Sequence, residues 1–168
     1  MMNTENVKIV NTKINFSCRM DYCSNSCCGP FKGVNTLINN IEKRPFDEIV
    51  LTDDDFNRIY MNGFMDLIET GYSEQMNKSY KKMSLGEDGT CRAFVNGKCC
   101  INNIKPTLCK AFPFYFDMFS GLCAINCEGF SDEYWTDVSS YQDCFDSARK
   151  MYEFWINFYS ETVEHESK

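Results

Sequence analysis

Ten of the eleven cysteines fall into two bunches, and their spacing is the chemistry this chain offers most plainly. Cys18, Cys23, Cys27 and Cys28 form the first; Cys91, Cys99, Cys100, Cys109, Cys123 and Cys127 form the second, with no cysteine between Cys28 and Cys91. Short separations let neighbouring thiolates converge on one ion or cluster, while ligands from a distant segment close the site. Ten thiols that were merely apolar core residues would not bunch in this way. A disulfide framework fits poorly, because the count is odd and the pairs Cys27-Cys28 and Cys99-Cys100 are adjacent. The opening MMNTENVKIVNTKINFSC also lacks a basic stretch followed by an apolar one, so the expectation is a cytoplasmic, reducing setting with metal-binding thiolates.

The donor set must be mainly sulfur. The single histidine, His165, stands three residues from the charged end of the chain. Histidine-based metallohydrolases, cysteine–histidine pairs and serine–histidine triads are therefore disfavoured. Sulfur-only sites select iron–sulfur clusters or tetrahedral zinc, and spacing alone does not separate the two. The formal net charge of -7 disfavours general binding to phosphate backbones. No run of about 20 apolar residues is present to span a membrane. Arg19, Arg92, Lys98, Lys105 and Lys110 stand beside cysteines, either as ordinary solvated side chains or as counter-charges to thiolate-bound metal.

Several elements must position these thiols. Val34, Leu37, Ile38 and Ile41 have helical spacing, ended by Lys43-Arg44 and Pro45. Thr52 before Asp53, Asp54 and Asp55 reads as a helix cap with an acidic first turn, rather than as a carboxylate metal site. Phe56, Ile59, Tyr60, Phe64, Leu67 and Ile68 continue it as one apolar stripe. Gly86-Glu87-Asp88-Gly89 is a turn. Asn96-Gly97 marks a two-residue hairpin that would set Cys91 and Cys99 on facing strands. A last helix is expected from near Thr136 into the 160s, with Tyr141, Phe145, Ala148, Met151 or Tyr152, Trp155 and Tyr159 on its inner face. Cys144 on that helix reads as a buried apolar thiol. Phe112-Pro113-Phe114-Tyr115-Phe116 reads as an apolar shell beside the cysteines, or as the wall of a substrate pocket. Glu128 reads as a surface carboxylate rather than a base near the metal.

The segment CRAFVNGKCCINNIKPTLCKAFPF, taken with the first bunch, resembles the YkgJ-type cysteine-cluster family, the CxxCxxCC zinc- or iron-chelating domain. Cys18, Cys23, Cys27 and Cys28 stand for its opening cluster. Cys91, Cys99, Lys105-Pro106, Cys109 and Phe112-Pro113 stand for its second signature, and Cys127-Glu128-Gly129 for its final Cys-Pro-Gly-like element. The likeness spans Cys18 to Gly129. Lys105 and Lys110 replace the family's arginines and Asn102 its tyrosine, which keeps the charge but weakens bidentate recognition of anions. Cys100 and Cys123 stand outside the eight-cysteine pattern. The wider first-cluster spacing is similar to that of the flagellin lysine N-methylase branch, which implies S-adenosylmethionine and an iron–sulfur cluster. No glycine-rich methyl-donor loop after a strand accompanies it here.

These readings together predict a single α+β domain over residues 1–168, mostly helical, with a short β-hairpin, organised around a cysteine-ligated metal site. The expected ligands are Cys18, Cys23, Cys27, Cys28, Cys91, Cys99, Cys109 and Cys127. The expected cofactor is an iron–sulfur cluster or iron, with zinc as the alternative. The expected role is redox or accessory, in modifying a partner protein or peptide. Two alternatives stand beside it: an iron- or S-adenosylmethionine-dependent enzyme acting on protein or peptide side chains, and a zinc-stabilised interaction module without chemistry.

Overall fold

A computed structural model describes residues 7–18, 28–29, 48–125 and 127–160. Its elements, in chain order, begin with β1 (Ile9–Val10), β2 (Lys13–Ile14), β3 (Val50–Leu51) and α1 (Asp53–Met61). Next come β4 (Ile68–Ser73), β5 (Lys78–Met83), β6 (Phe94–Val95), β7 (Lys98–Cys99) and α2 (Thr107–Ala111). The chain continues through β8 (Phe114–Asp117), β9 (Gly121–Ala124), β10 (Thr136–Asp137) and α3 (Gln142–Ser160). The strands pair antiparallel into four small sheets among the described residues: β1-β2-β10, β3-β5-β4, β6-β7 and β8-β9.

The α+β class holds, but the fold is not mostly helical: of the described residues 34% are helical against 29% strand, so neither class dominates. The excess of predicted helix in the described residues has two sources. First, α1 ends at Met61 instead of continuing through Ile68. Asn62 is its C-cap, and Gly63 takes a left-handed φ of 84°. The Gly63 N–H then donates to the Tyr60 carbonyl at 3.0 Å, and the Phe64 N–H to that of Ile59 at 3.2 Å. This is the paired closure that left-handed glycine favours at a helix end. Second, residues 136–141 form a short strand and a 3-10 turn, so α3 starts at Gln142 rather than near Thr136. The helix expected over Val34–Arg44 lies outside the described residues.

Beyond the end of α1 a 3-10 turn (Met65–Leu67) leads into a hairpin, β4–β5, that the residue pattern does not predict. Its register sets Gly71 opposite Tyr80. A Cβ at Gly71 would lie 2.5 Å from two Tyr80 ring atoms, so the ring lies across the glycine as a packed cross-strand pair. The Tyr80 hydroxyl donates to Glu48, which also accepts from Lys82, so the ring is tied at its far end. Gly71→Ala is therefore expected to cost about 1–3 kcal/mol through overpacking. The urea unfolding midpoint measures it, and an unshifted midpoint would mean that the ring can swing aside.

The start of α1 follows expectation. The Thr52 hydroxyl accepts from the Asp55 N–H, and the Asp55 carboxylate accepts from the Thr52 N–H, each at 3.2 Å. The Gly86–Gly89 turn is also present, closed by the Gly89 N–H on the Gly86 carbonyl at 3.0 Å. Asn96 and Gly97 take positive φ angles of 52° and 75°, as a tight two-residue hairpin between β6 and β7 requires.

What organises the described residues is apolar burial, not a metal site, which corrects the second part of the fold expectation. One cluster gathers Ile49, Leu51, Ile59, Leu67, Met83 and Ile101. A second gathers Ile14, Phe16, Phe114, Ala124, Phe145 and Ala148. A third joins Val50 and Tyr80 to Phe158 near the end of α3. No helix of the described residues is long and apolar enough to cross a membrane.

Candidate metal centre

The cysteines are distributed between the first two clusters. On the first, Cys91 is buried and Cys99 and Cys109 pack against the core from its edge. Cys91 is not on the β6–β7 hairpin, where the sequence reading placed it. Cys99 faces Phe94 there, while Cys91 forms an isolated antiparallel bridge with Leu85 that closes the Gly86–Gly89 turn. The Cys91 N–H donates to the Cys28 carbonyl at 2.9 Å. That bond brings the two sequence bunches into contact across the long cysteine-free interval. Burial pushes the Cys91 thiol up, opposed by backbone hydrogen bonds from Ala93 and Phe94, with Cys99 and Cys100 adding to the rise.

On the second cluster sit Cys127 and Cys144, both half-buried, while Cys18 is exposed. The chain arrives at Cys18 along a fixed path. Phe16 bridges to Phe130, and the Ser17 N–H donates to the Gly129 carbonyl at 2.9 Å. The Cys18 N–H donates to the Tyr141 hydroxyl at 3.3 Å. Gly129 is required for this approach, since a Cβ there would lie 2.5 Å from the Phe16 ring and 2.7 Å from the Ser17 carbonyl oxygen. Its N–H also points at the Cys127 sulfur, 3.5 Å away. The glycine of the Cys127-Glu128-Gly129 element thus has a packing reason of its own.

α2, which carries Cys109, is held by a buried carboxylate. Asp55 is 0% exposed and accepts from the Thr107 N–H at 3.0 Å and the Thr107 hydroxyl at 2.8 Å. Arg58 pairs with the same carboxylate and donates to the carbonyls of Ile104 at 3.3 Å and Lys105 at 3.1 Å. The three aspartates after Thr52 therefore form a helix start, and the third of them fixes the Ile104–Thr107 segment ahead of Cys109. Burial pushes the Lys110 amine down, and Arg58, Lys150 and Lys105 add to the effect against Asp55. A concentration of positive charge accordingly lies around α2.

Cys123 stands apart. It is 2% exposed, faces Tyr115 across β8–β9, and directs its sulfur to the Gly121 carbonyl at 3.6 Å. Burial, the Cys123 charge and the hydrogen bond to Cys123 push the Tyr115 hydroxyl up to about 12. In the aromatic segment after Cys109, Phe114 is buried in the second cluster against Phe16 and Phe145, at ring separations of 5.2 and 4.9 Å. Glu128 is exposed. Cys23, Cys27, Arg19 and His165 lie outside the described residues.

The donor chemistry suits a thiophilic metal, but the described residues do not assemble a full ligand set. Among them no group of three or more histidine, cysteine, aspartate or glutamate side chains could hold a metal ion. Two of the eight expected ligands, Cys23 and Cys27, lie outside that set. Sequence reasoning missed the link between Cys18 and the start of α3, and the Asp55–Arg58 clamp on α2. No local pattern signals either, because each joins segments far apart in the chain. Comparison with protein-family models, curated proteins and solved structures gives no match to this chain.

Proposed function

We propose that this chain is a cysteine-ligated metal-binding protein, an iron–sulfur protein in the first instance, with a redox or accessory role in modifying a partner protein or peptide. The observation that carries the reading is the 2.9 Å hydrogen bond from the Cys91 N–H to the Cys28 carbonyl. It puts the end of one cysteine bunch against the start of the other, as ligands drawn from two distant segments require. The proposed ligands are Cys18, Cys23, Cys27, Cys28, Cys91, Cys99, Cys109 and Cys127. The resemblance to the YkgJ-type cysteine-cluster family supports the same set. When bound, such a centre would supply electron transfer or Lewis acidity. The chain's own residues supply thiolates, the basic surround of α2 and an aromatic shell.

Anaerobic purification, followed by iron, acid-labile sulfide and zinc analysis beside a visible spectrum, tests this reading. Iron with matching sulfide and a brown absorbance is the expected result. Cys23→Ser and Cys27→Ser are each expected to lower the iron content. Zinc alone in a colourless, air-stable protein would replace the redox role with a structural one, and a protein free of metal would end the proposal.

A further inference from the structure

We propose that β4 is a docking edge for an extended, basic peptide segment of a partner protein, which adds to the β3-β5-β4 sheet as a further strand. This goes beyond the metal reading and stands whether or not the cysteines hold metal. Among the described residues β4 has β5 on one side and no strand on the other. The ladder fixes which of its backbone groups face outward. The Ser84 N–H donates to the Leu67 carbonyl at 2.8 Å, in the register that continues through Glu69 opposite Lys82 and Gly71 opposite Tyr80. Antiparallel bonding alternates along a strand, so Thr70 and Tyr72 point their N–H and carbonyl groups away from β5. The other side of β5 agrees, where the Met83 N–H donates to the Ile49 carbonyl at 2.8 Å. The Ile68 carbonyl also points outward, while its N–H is taken by Met65.

Edge strands are ordinarily closed off by proline, lysine, a bulge or short length. β4 has six residues, none of them proline or lysine, and its register runs unbroken from Ile68 opposite Met83 to Ser73 opposite Lys78. Open backbone donors and acceptors in this arrangement fit an added strand. Charge selects which strand. Asp66 and Glu74 stand exposed just before and just after β4, and Glu69 is exposed within it. The nearby cations are turned elsewhere: Lys81 to the Thr70 hydroxyl at 2.8 Å, Lys82 to Glu48 and Glu69, and Lys78 over the Phe158 ring. A second copy paired about Thr70 would bring Asp66 of each chain towards Glu74 of the other, and like charges placed opposite destabilise a sheet. A segment bearing lysine or arginine meets the same acids favourably.

The test follows backbone amide exchange in the full chain, alone and with a short acetylated peptide of alternating valine and threonine flanked by lysines. In the protein alone the Thr70 and Tyr72 amides should exchange fast and the Gly71 amide slowly. Peptide at about ten times its Kd should slow Thr70 and Tyr72 about tenfold and leave Gly71 unchanged. Thr70→Pro removes an outward N–H and no bond to β5, so it should keep the melting transition and lose the peptide. As a control that needs no variant, the same peptide N-methylated along its backbone should not bind. Glutamates in place of the lysines should weaken binding about tenfold. Slow exchange of Thr70 and Tyr72 in the protein alone, no binding, or equal binding of the N-methylated or glutamate peptide would overturn the proposal. A dimer that Thr70→Pro abolishes would overturn it in favour of a second copy.

Discussion

Asp55→Ala is expected to lower the unfolding free energy by about 3–5 kcal/mol, the range for removing one partner of a buried ion pair. Asp55 is fully buried, and its carboxylate serves Thr52 at the start of α1, Arg58 one turn on, and both the N–H and the hydroxyl of Thr107. Alanine would leave these donors facing an apolar gap, and unsatisfied buried donors are costly one by one. Arg58 would lose its counter-charge while still placed to bond the carbonyls of Ile104 and Lys105. Asp55→Asn keeps one acceptor oxygen and should fall between the two. Urea titrations of the three proteins read the effect directly. A loss below about 1 kcal/mol for alanine would show that water replaces the carboxylate, and that α2 is held by packing alone.

Phe16→Ala should have a comparable effect, about 3–5 kcal/mol, as for other large aromatic truncations in a packed core. Phe16 is 2% exposed, with ring separations of 5.2 Å to Phe114, 4.7 Å to Phe130 and 4.9 Å to Tyr141. Removing the ring deletes the centre of the second cluster and the surface on which Gly129 closes. Phe16→Leu retains most of the volume and should cost much less. Cys144 packs against the same cluster, so its alkylation should quicken in Phe16→Ala and hardly change in Phe16→Leu. A normal melt for the alanine variant would contradict the packing; a normal melt with faster alkylation would place the effect at the cysteines alone.

Local features were legible from the residues in proportion to how local their physics is. Thr52 with Asp55 specifies a capped helix start within four residues, and Asn96-Gly97 specifies a tight turn within two. The end of α1 is equally local: Phe64, Leu67 and Ile68 keep a helical period, but Asn62-Gly63 outweighs it because glycine adopts the left-handed closure without strain. The β4–β5 hairpin was hidden because its loop carries no glycine or proline. Asn77, at a φ of 48°, takes the left-handed position instead.

The sequence by itself determined the inventory of reactive side chains: eleven cysteines, ten of them in two bunches, a single histidine and a net charge of -7. Only the tertiary structure decided which thiols are neighbours. Cys28 meets Cys91, Cys18 is carried to Tyr141, and Cys123 turns away to Tyr115. The path to Cys18 depends on Gly129 admitting Phe16, and the place of α2 with Cys109 depends on Asp55. They are contacts between distant segments, fixed by close packing and the need to satisfy buried polar groups, so spacing along the chain carries no trace of them.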